Sequence, residues 1–202
     1  MSTDLLAPLV LFCAVTLFTP GPNNVMLMTS GLNYGVRRTM PHLLGVVLGF
    51  SLMVALVGLG LGAVIERLPL IYVVMQWIGA GYMLYLAWAI ARSGPIDAGG
   101  ESSGRPLTFV EAAAFQWINP KAWVMAVGAM STYASIAVFP SNVVLISGLF
   151  GALGILSAGA WVLFGEALRR LLTRPRTVRM FNAAMALLLV GSLLPVLFDS
   201  VR

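Results

Sequence analysis

Apolar runs dominate the chain, and short polar stretches separate them. Six runs reach about the 20 mostly apolar residues that a membrane-spanning helix needs. They cover roughly 5–30, 43–65, 68–91, 109–133, 141–165 and 180–198. The second, third and sixth carry no charged residue, and the first carries none after Asp4. Lipid offers no partner for backbone N–H and C=O groups, so runs this long predict helices rather than strands.

The polar stretches predict orientation. Arg37 and Arg38 lie between runs 1 and 2, and Arg92 and Arg105 between 3 and 4. Arg169, Arg170, Arg174, Arg176 and Arg179 lie between 5 and 6. These alternate connections share one side, which the positive-inside rule makes cytoplasmic. The other side has only Arg67 and Arg202. Both termini are then expected outside.

Residues 92–108, RSGPIDAGGESSGRPLT, read as a cytoplasmic Gly/Ser/Pro linker. They divide the chain into three-run halves, 1–91 and 109–202. An odd number of spans makes the halves enter the membrane from opposite sides, the condition for an inverted repeat. The expected fold is an all-α integral membrane protein of six transmembrane helices, arranged as two inverted three-helix repeats.

Composition agrees. Of 202 residues, 59% are hydrophobic and 9% charged, and mean hydropathy is +0.94. A soluble domain could not hide that much apolar surface. The net charge of +5 is placed as a topology signal and predicts no nucleic-acid partner. The one cysteine, Cys13, cannot form an internal disulfide. The N-terminus lacks the basic region of a secretory signal, so no cleavage is expected.

Two runs are interrupted near their middle, TPGPNN (19–24) in the first and NPKAW (119–123) in the fourth. A proline inside a helix costs about 3 kcal/mol. Pro20 and Pro22 cannot donate to the carbonyls of Thr16 and Phe18, and Pro120 cannot donate to Gln116. The residues before each proline are pushed away from helical geometry. One break in each half, at similar depth, is the sequence pointer to a central binding site in a secondary transporter. A half-helix ending at a break offers bare carbonyls to an ammonium, and one starting there offers N–H groups to a carboxylate. Asn119 then Pro120 has N-cap and N1 chemistry. A mid-membrane lysine costs about 2.5–3.5 kcal/mol, so Lys121 is expected to serve as a carboxylate partner or proton carrier. The predicted substrate-binding set is Pro20, Gly21, Pro22, Asn23, Asn24, Gln116, Asn119, Pro120 and Lys121.

The chain resembles the LysE/RhtB amino-acid exporters. The resemblance rests on FTPGPNN, GLNYGVRR, GVVLGF, IGAGYMLYLAWAIARS, NPKAW and FNAAMALLLVGSLL, in that order along nearly the whole chain. It implies a bacterial inner-membrane protein that exports amino acids or close derivatives, driven by the proton gradient. Two departures concern run 4. Family members often have a glycine before NPK, where this chain has Ala112–Ala114, and Pro-Gln-Phe after it, where this chain has Ser131, Thr132 and Tyr133.

Other residues carry open readings. Gly45, Gly49, Gly58 and Gly62 in run 2, and Gly148, Gly151 and Gly154 in run 5, fit static packing or sliding surfaces. Tyr82 and Tyr85 suit a cavity wall or an interface anchor. His42 is expected at the cytoplasmic interface, and Asn33, Tyr34, Arg37 and Arg38 in a cytoplasmic turn. The alternative to amino-acid export is a metal or inorganic-ion transporter. Hard cations want several carboxylates and soft ones Cys or His, and the membrane interior here offers only one Cys, one peripheral His and two marginal Glu. No metal site, cofactor or enzymatic constellation is expected. A cationic side chain would find no deep acid to pair with, so neutral amino acids are favoured. The expected partners are a small zwitterion, protons and the lipid bilayer, and a homo-oligomer is left open.

Overall fold

The computed structural model describes residues 3–63, 67, 69–93, 104–172 and 174–193. Residues 94–103 of the expected linker and 194–198 of the sixth run lie outside this set. The described residues form helices α1 (Leu6–Phe18), α2 (Pro22–Leu56), α3 (Pro69–Arg92), α4 (Phe109–Ile118), α5 (Pro120–Tyr133), α6 (Ser141–Leu171) and α7 (Pro175–Gly191). A π-helical turn, Val57–Leu61, extends α2. Among the described residues, three helical stretches are long and apolar enough to cross a membrane: Pro22–Leu61, Val73–Arg92 and Ser141–Arg169.

The first two runs are joined by a turn among Asn33, Tyr34, Arg37 and Arg38, where one was expected, but with almost no loop. Helix continues to Tyr34 and resumes at Val36, and the whole turn falls on Gly35, at φ 80° and ψ 168°. Only glycine takes up a positive φ without steric cost. Ser30 Oγ lies 3.1 Å from Nδ1 of His42, twelve residues on. A straight helix would separate them by about 18 Å, so the chain doubles back at Gly35. The new helix start is held from a distance: Val36 N–H donates to the Glu166 carboxylate at 3.1 Å, and Thr39 Oγ1 donates to the Gly35 carbonyl at 2.8 Å.

Packing centres on α2 against α6. Where they cross, a Cβ on Gly31 would collide with the Val162 carbonyl, and one on Gly165 with the Met28 carbonyl. Small residues at such points let helix backbones touch. Gly45 and Gly49 meet Phe109, Ala112 and Ala113 of α4 rather than α6. Beneath these contacts an apolar cluster of Leu27, Leu43, Val46, Val47, Ala112, Ala158 and Val162 joins α2, α4 and α6. A second cluster joins α3, α4 and α7 around Met83, Phe115 and Leu189.

Candidate functional site

Helix α1 stops at Phe18 because the chain enters Thr-Pro-Gly-Pro. Gly21 is fully extended, and α2 restarts with Pro22 at its first position. The ends thus exposed are largely claimed by side chains. Asn24 Nδ2 donates to the carbonyls of Leu17 at 2.8 Å and Thr19 at 2.9 Å. Ser157 Oγ, from α6, donates to Leu17 O at 2.8 Å. Lys121 Nζ donates to Thr19 O at 2.8 Å. Thr19 closes back on Val15 O through its own N–H and hydroxyl. Pro20 leaves the Thr16 carbonyl without its helical donor.

The second interruption is shorter. Asn119 alone separates α4 from α5, and its side chain caps α5 by accepting from Lys121 N–H at 3.1 Å. Trp123 Nε1 donates to the Trp117 carbonyl at 2.8 Å, covering an end of α4.

The two interruptions meet around one small cavity of about 50 Å3. That is room for a few water molecules and less than an amino acid needs, so the site is contracted. Of the predicted residues, Gly21, Pro22, Asn23, Asn24, Asn119 and Lys121 line it. Pro20 does not, and is exposed. Gln116 does not either: it is fully buried and pairs with Asn23 through two amide hydrogen bonds, at 2.8 and 3.2 Å. Pro120 borders a separate, minor cavity beside Trp117 and Trp123. Asn24 lines the cavity, but its amide is already committed to backbone carbonyls.

Sequence reasoning missed Thr16, Phe50, Phe150 and Ser157, which also line the wall. Phe50 and Phe150 meet edge to face with ring centres 5.2 Å apart. Ser157 carried a signal, a hydroxyl inside an apolar run. The phenylalanines carried none, because an apolar residue in such a run looks the same facing a core, lipid or ligand.

Lys121 is the one titratable side chain in the described wall. In the first turn of α2, Val25 is the first residue whose N–H bonds back, to Gly21 O at 3.0 Å, so the N–H groups of Asn23 and Asn24 stand at the positive end of that helix. An ammonium, helix-start N–H groups and helix-end carbonyls gather around this cavity, a set whose chemistry suits a carboxylate and an amine once the space widens.

His42 is buried within the protein, 1% exposed, against Ser30. Asn33 is likewise buried and forms a reciprocal amide pair with Asn182 of α7, at 3.3 and 3.2 Å.

Comparison with known proteins gives a consistent result. The family described as LysE type translocator matches residues 14–197. A protein of Escherichia coli (strain K12) called cysteine/O-acetylserine efflux protein is 33% identical over 198 residues, covering 94% of this chain and 96% of its own. One of the same name from Klebsiella pneumoniae is 31% identical over 172 residues, covering 85% of this chain and 87% of its own. No solved structure matches.

Proposed function

Because the chain belongs to the LysE-type translocator family, we propose that it is a secondary exporter of small neutral amino acids and close derivatives, cysteine and O-acetylserine first among them. It is a transporter and not an enzyme, and a multi-pass membrane protein. The observation that carries the substrate reading is the cavity where both helix interruptions converge, with Lys121 and no acid in its described wall. A substrate with a cationic side chain would find nothing there to neutralise it. A neutral zwitterion brings a carboxylate for Lys121 and for the N–H groups of Asn23 and Asn24. Its ammonium meets the carbonyls that end α1.

In this structure Lys121 itself occupies one of those carbonyls, Thr19 O. On our reading the arriving ammonium takes over that carbonyl and Lys121 turns to the carboxylate. Lys121 is also the group we assign to carry the returning proton in antiport. The two halves, 1–91 and 109–202, form the inverted repeat, with the arginine-rich connections in the cytoplasm and both termini outside. They rock about the site, opening it alternately.

The test is efflux of labelled cysteine, O-acetylserine, other neutral amino acids, lysine and arginine from expressing cells, with and without a protonophore. Selective efflux of neutral substrates that the protonophore abolishes is the expected result. Arginine leaving much faster than any neutral amino acid overturns the substrate reading.

A further inference from the structure

Helix α3 packs on α7 and α4 but only grazes α2. The gap is a second chamber of about 510 Å3, far larger than the central cavity and large enough for an amino acid with its water. Its wall includes Ser30, His42, Tyr82, Tyr85, Trp88 and Arg92.

Two groups in that wall want a partner. The first is His42. One ring nitrogen faces Ser30 Oγ, and the other, Nε2, is buried without a hydrogen bond. A buried polar atom left unpaired costs about 1–3 kcal/mol. The second is Arg92. Its guanidinium lies 4.4 Å from the centre of the Trp88 ring and forms no ion pair among the described residues. The chamber's acid is not available to it: Glu111 holds Arg105 through both oxygens, at 2.6 and 2.7 Å, and accepts from Thr108 N–H at 2.8 Å. An unpaired guanidinium suits a carboxylate. The adjacent rings of Tyr82, Tyr85 and Trp88, in contact pairwise at 6.0 and 6.1 Å, suit an ammonium. His42 Nε2 suits a polar side chain.

The chamber adjoins the central cavity. Met26 lines the chamber and Asn23 the cavity, about 4.5 Å apart along α2. On α4, Glu111 borders the chamber, and five residues further Gln116 closes on Asn23. The Asn23–Gln116 amide pair thus lies within about two helical turns of the chamber's lining on both helices. We propose that the chamber between α2, α3 and α4 is a second binding site for the exported zwitterion. It is an entry site at the arginine-rich end of the bundle, and substrate passes from it to the central cavity when the Asn23–Gln116 pair parts. This rests on the export reading above.

His42 is the only histidine, so protein labelled in histidine alone and held in lipid nanodiscs reports on this chamber through one imidazole signal. Titration with O-acetyl-L-serine is expected to shift the signal saturably. The shift should survive in Lys121→Ala, which disables the central cavity. It should need about tenfold more ligand in Arg92→Ala or Arg92→Gln, surface changes that leave the fold intact. The same Arg92 variants should raise the internal concentration for half-maximal efflux and leave the maximal rate unchanged. An unmoved signal in a protein that exports O-acetylserine overturns the entry site and leaves the export reading standing. So does a shift that Lys121→Ala abolishes and Arg92→Ala does not affect. A protein that exports no amino acid overturns the export reading itself, and the entry site with it.

Discussion

Lys121 donates to the carbonyl of Thr19 at 2.8 Å, across 102 residues of chain. The bond ties the start of one half-helix to the end of another and lays the lysine side chain over Gly21. Together with the Asn23–Gln116 amide pair, it joins the two interruptions into one polar centre.

Replacing Lys121 should therefore affect transport more than assembly. A hydrogen bond to a charged group contributes about 1.5–3 kcal/mol, so Lys121→Met should slow efflux of O-acetylserine by roughly tenfold or more. Lys121→Arg keeps the charge but not the shape of the ammonium, and should recover only part of the rate. Efflux per unit of membrane-inserted protein measures both. Wild-type efflux from Lys121→Met would remove the residue from the mechanism.

Asn23 and Gln116 should behave as a unit. Asn23→Ala leaves the buried Gln116 carbonyl oxygen without its donor while Nε2 keeps Ala112 O, and Gln116→Ala leaves the half-buried Asn23 amide unpaired, each at a cost of about 1–3 kcal/mol. The double variant leaves neither, and should be no less stable in detergent than the worse single variant. A thermal-melt double-mutant cycle reads the coupling. Strictly additive losses would mean that the pair does not act as drawn.

Asn24 should matter for stability before it matters for substrate. Its amide serves the Leu17 and Thr19 carbonyls, so Asn24→Ala removes two hydrogen bonds at once and leaves Leu17 O to Ser157 and Thr19 O to Lys121. The melting temperature should fall, by an amount set by about 0.5–1.5 kcal/mol per lost hydrogen bond. An unchanged melting temperature together with weakened O-acetylserine efflux would instead return Asn24 to the substrate.

Gly31 and Gly165 should not tolerate a methyl group. Each faces backbone of the opposing helix, α6 for Gly31 and α2 for Gly165, and backbone cannot step aside as a flexible side chain can. Gly31→Ala and Gly165→Ala should reduce folded protein sharply in size-exclusion profiles. Gly148→Ala, with nothing within 4 Å of its added Cβ, should match wild type.

Glu166 should be felt at the turn within α2. Its carboxylate accepts from Val36 N–H, where the chain doubles back and a new helix dipole begins. Loss of a helix cap costs about 0.5–2 kcal/mol, with a further gain from negative charge at a helix start. Glu166→Ala should lower the melting temperature measurably, and Glu166→Gln, which keeps the acceptor oxygen, should lower it less.

Much of the molecule could be read along the chain, because its rules are local. Prolines lack an N–H wherever they occur, so the ends of helix at Phe18 and Ile118 follow from Pro20, Pro22 and Pro120. Asn119 caps α5 because a side-chain oxygen reaches the nearest free N–H. Long apolar runs become helices because lipid leaves backbone groups no other partner. The one-residue turn at Gly35 was harder to see. A glycine among polar residues reads as loop until a carboxylate 130 residues away is seen to hold the next helix start.

What the sequence by itself determined is where helix must stop and which polar groups are left wanting partners. Which partners they find was decided only by tertiary structure. Gln116 went to Asn23, Asn24 to the carbonyls of Leu17 and Thr19, and His42 into the interior beside Ser30. The same packing brought Phe50, Phe150 and Ser157 to the cavity. Each of these pairings joins residues from different helical segments. Helical period and propensity govern neighbours a few positions apart, and the packing of α1, α2, α4 and α6 against one another governs the rest.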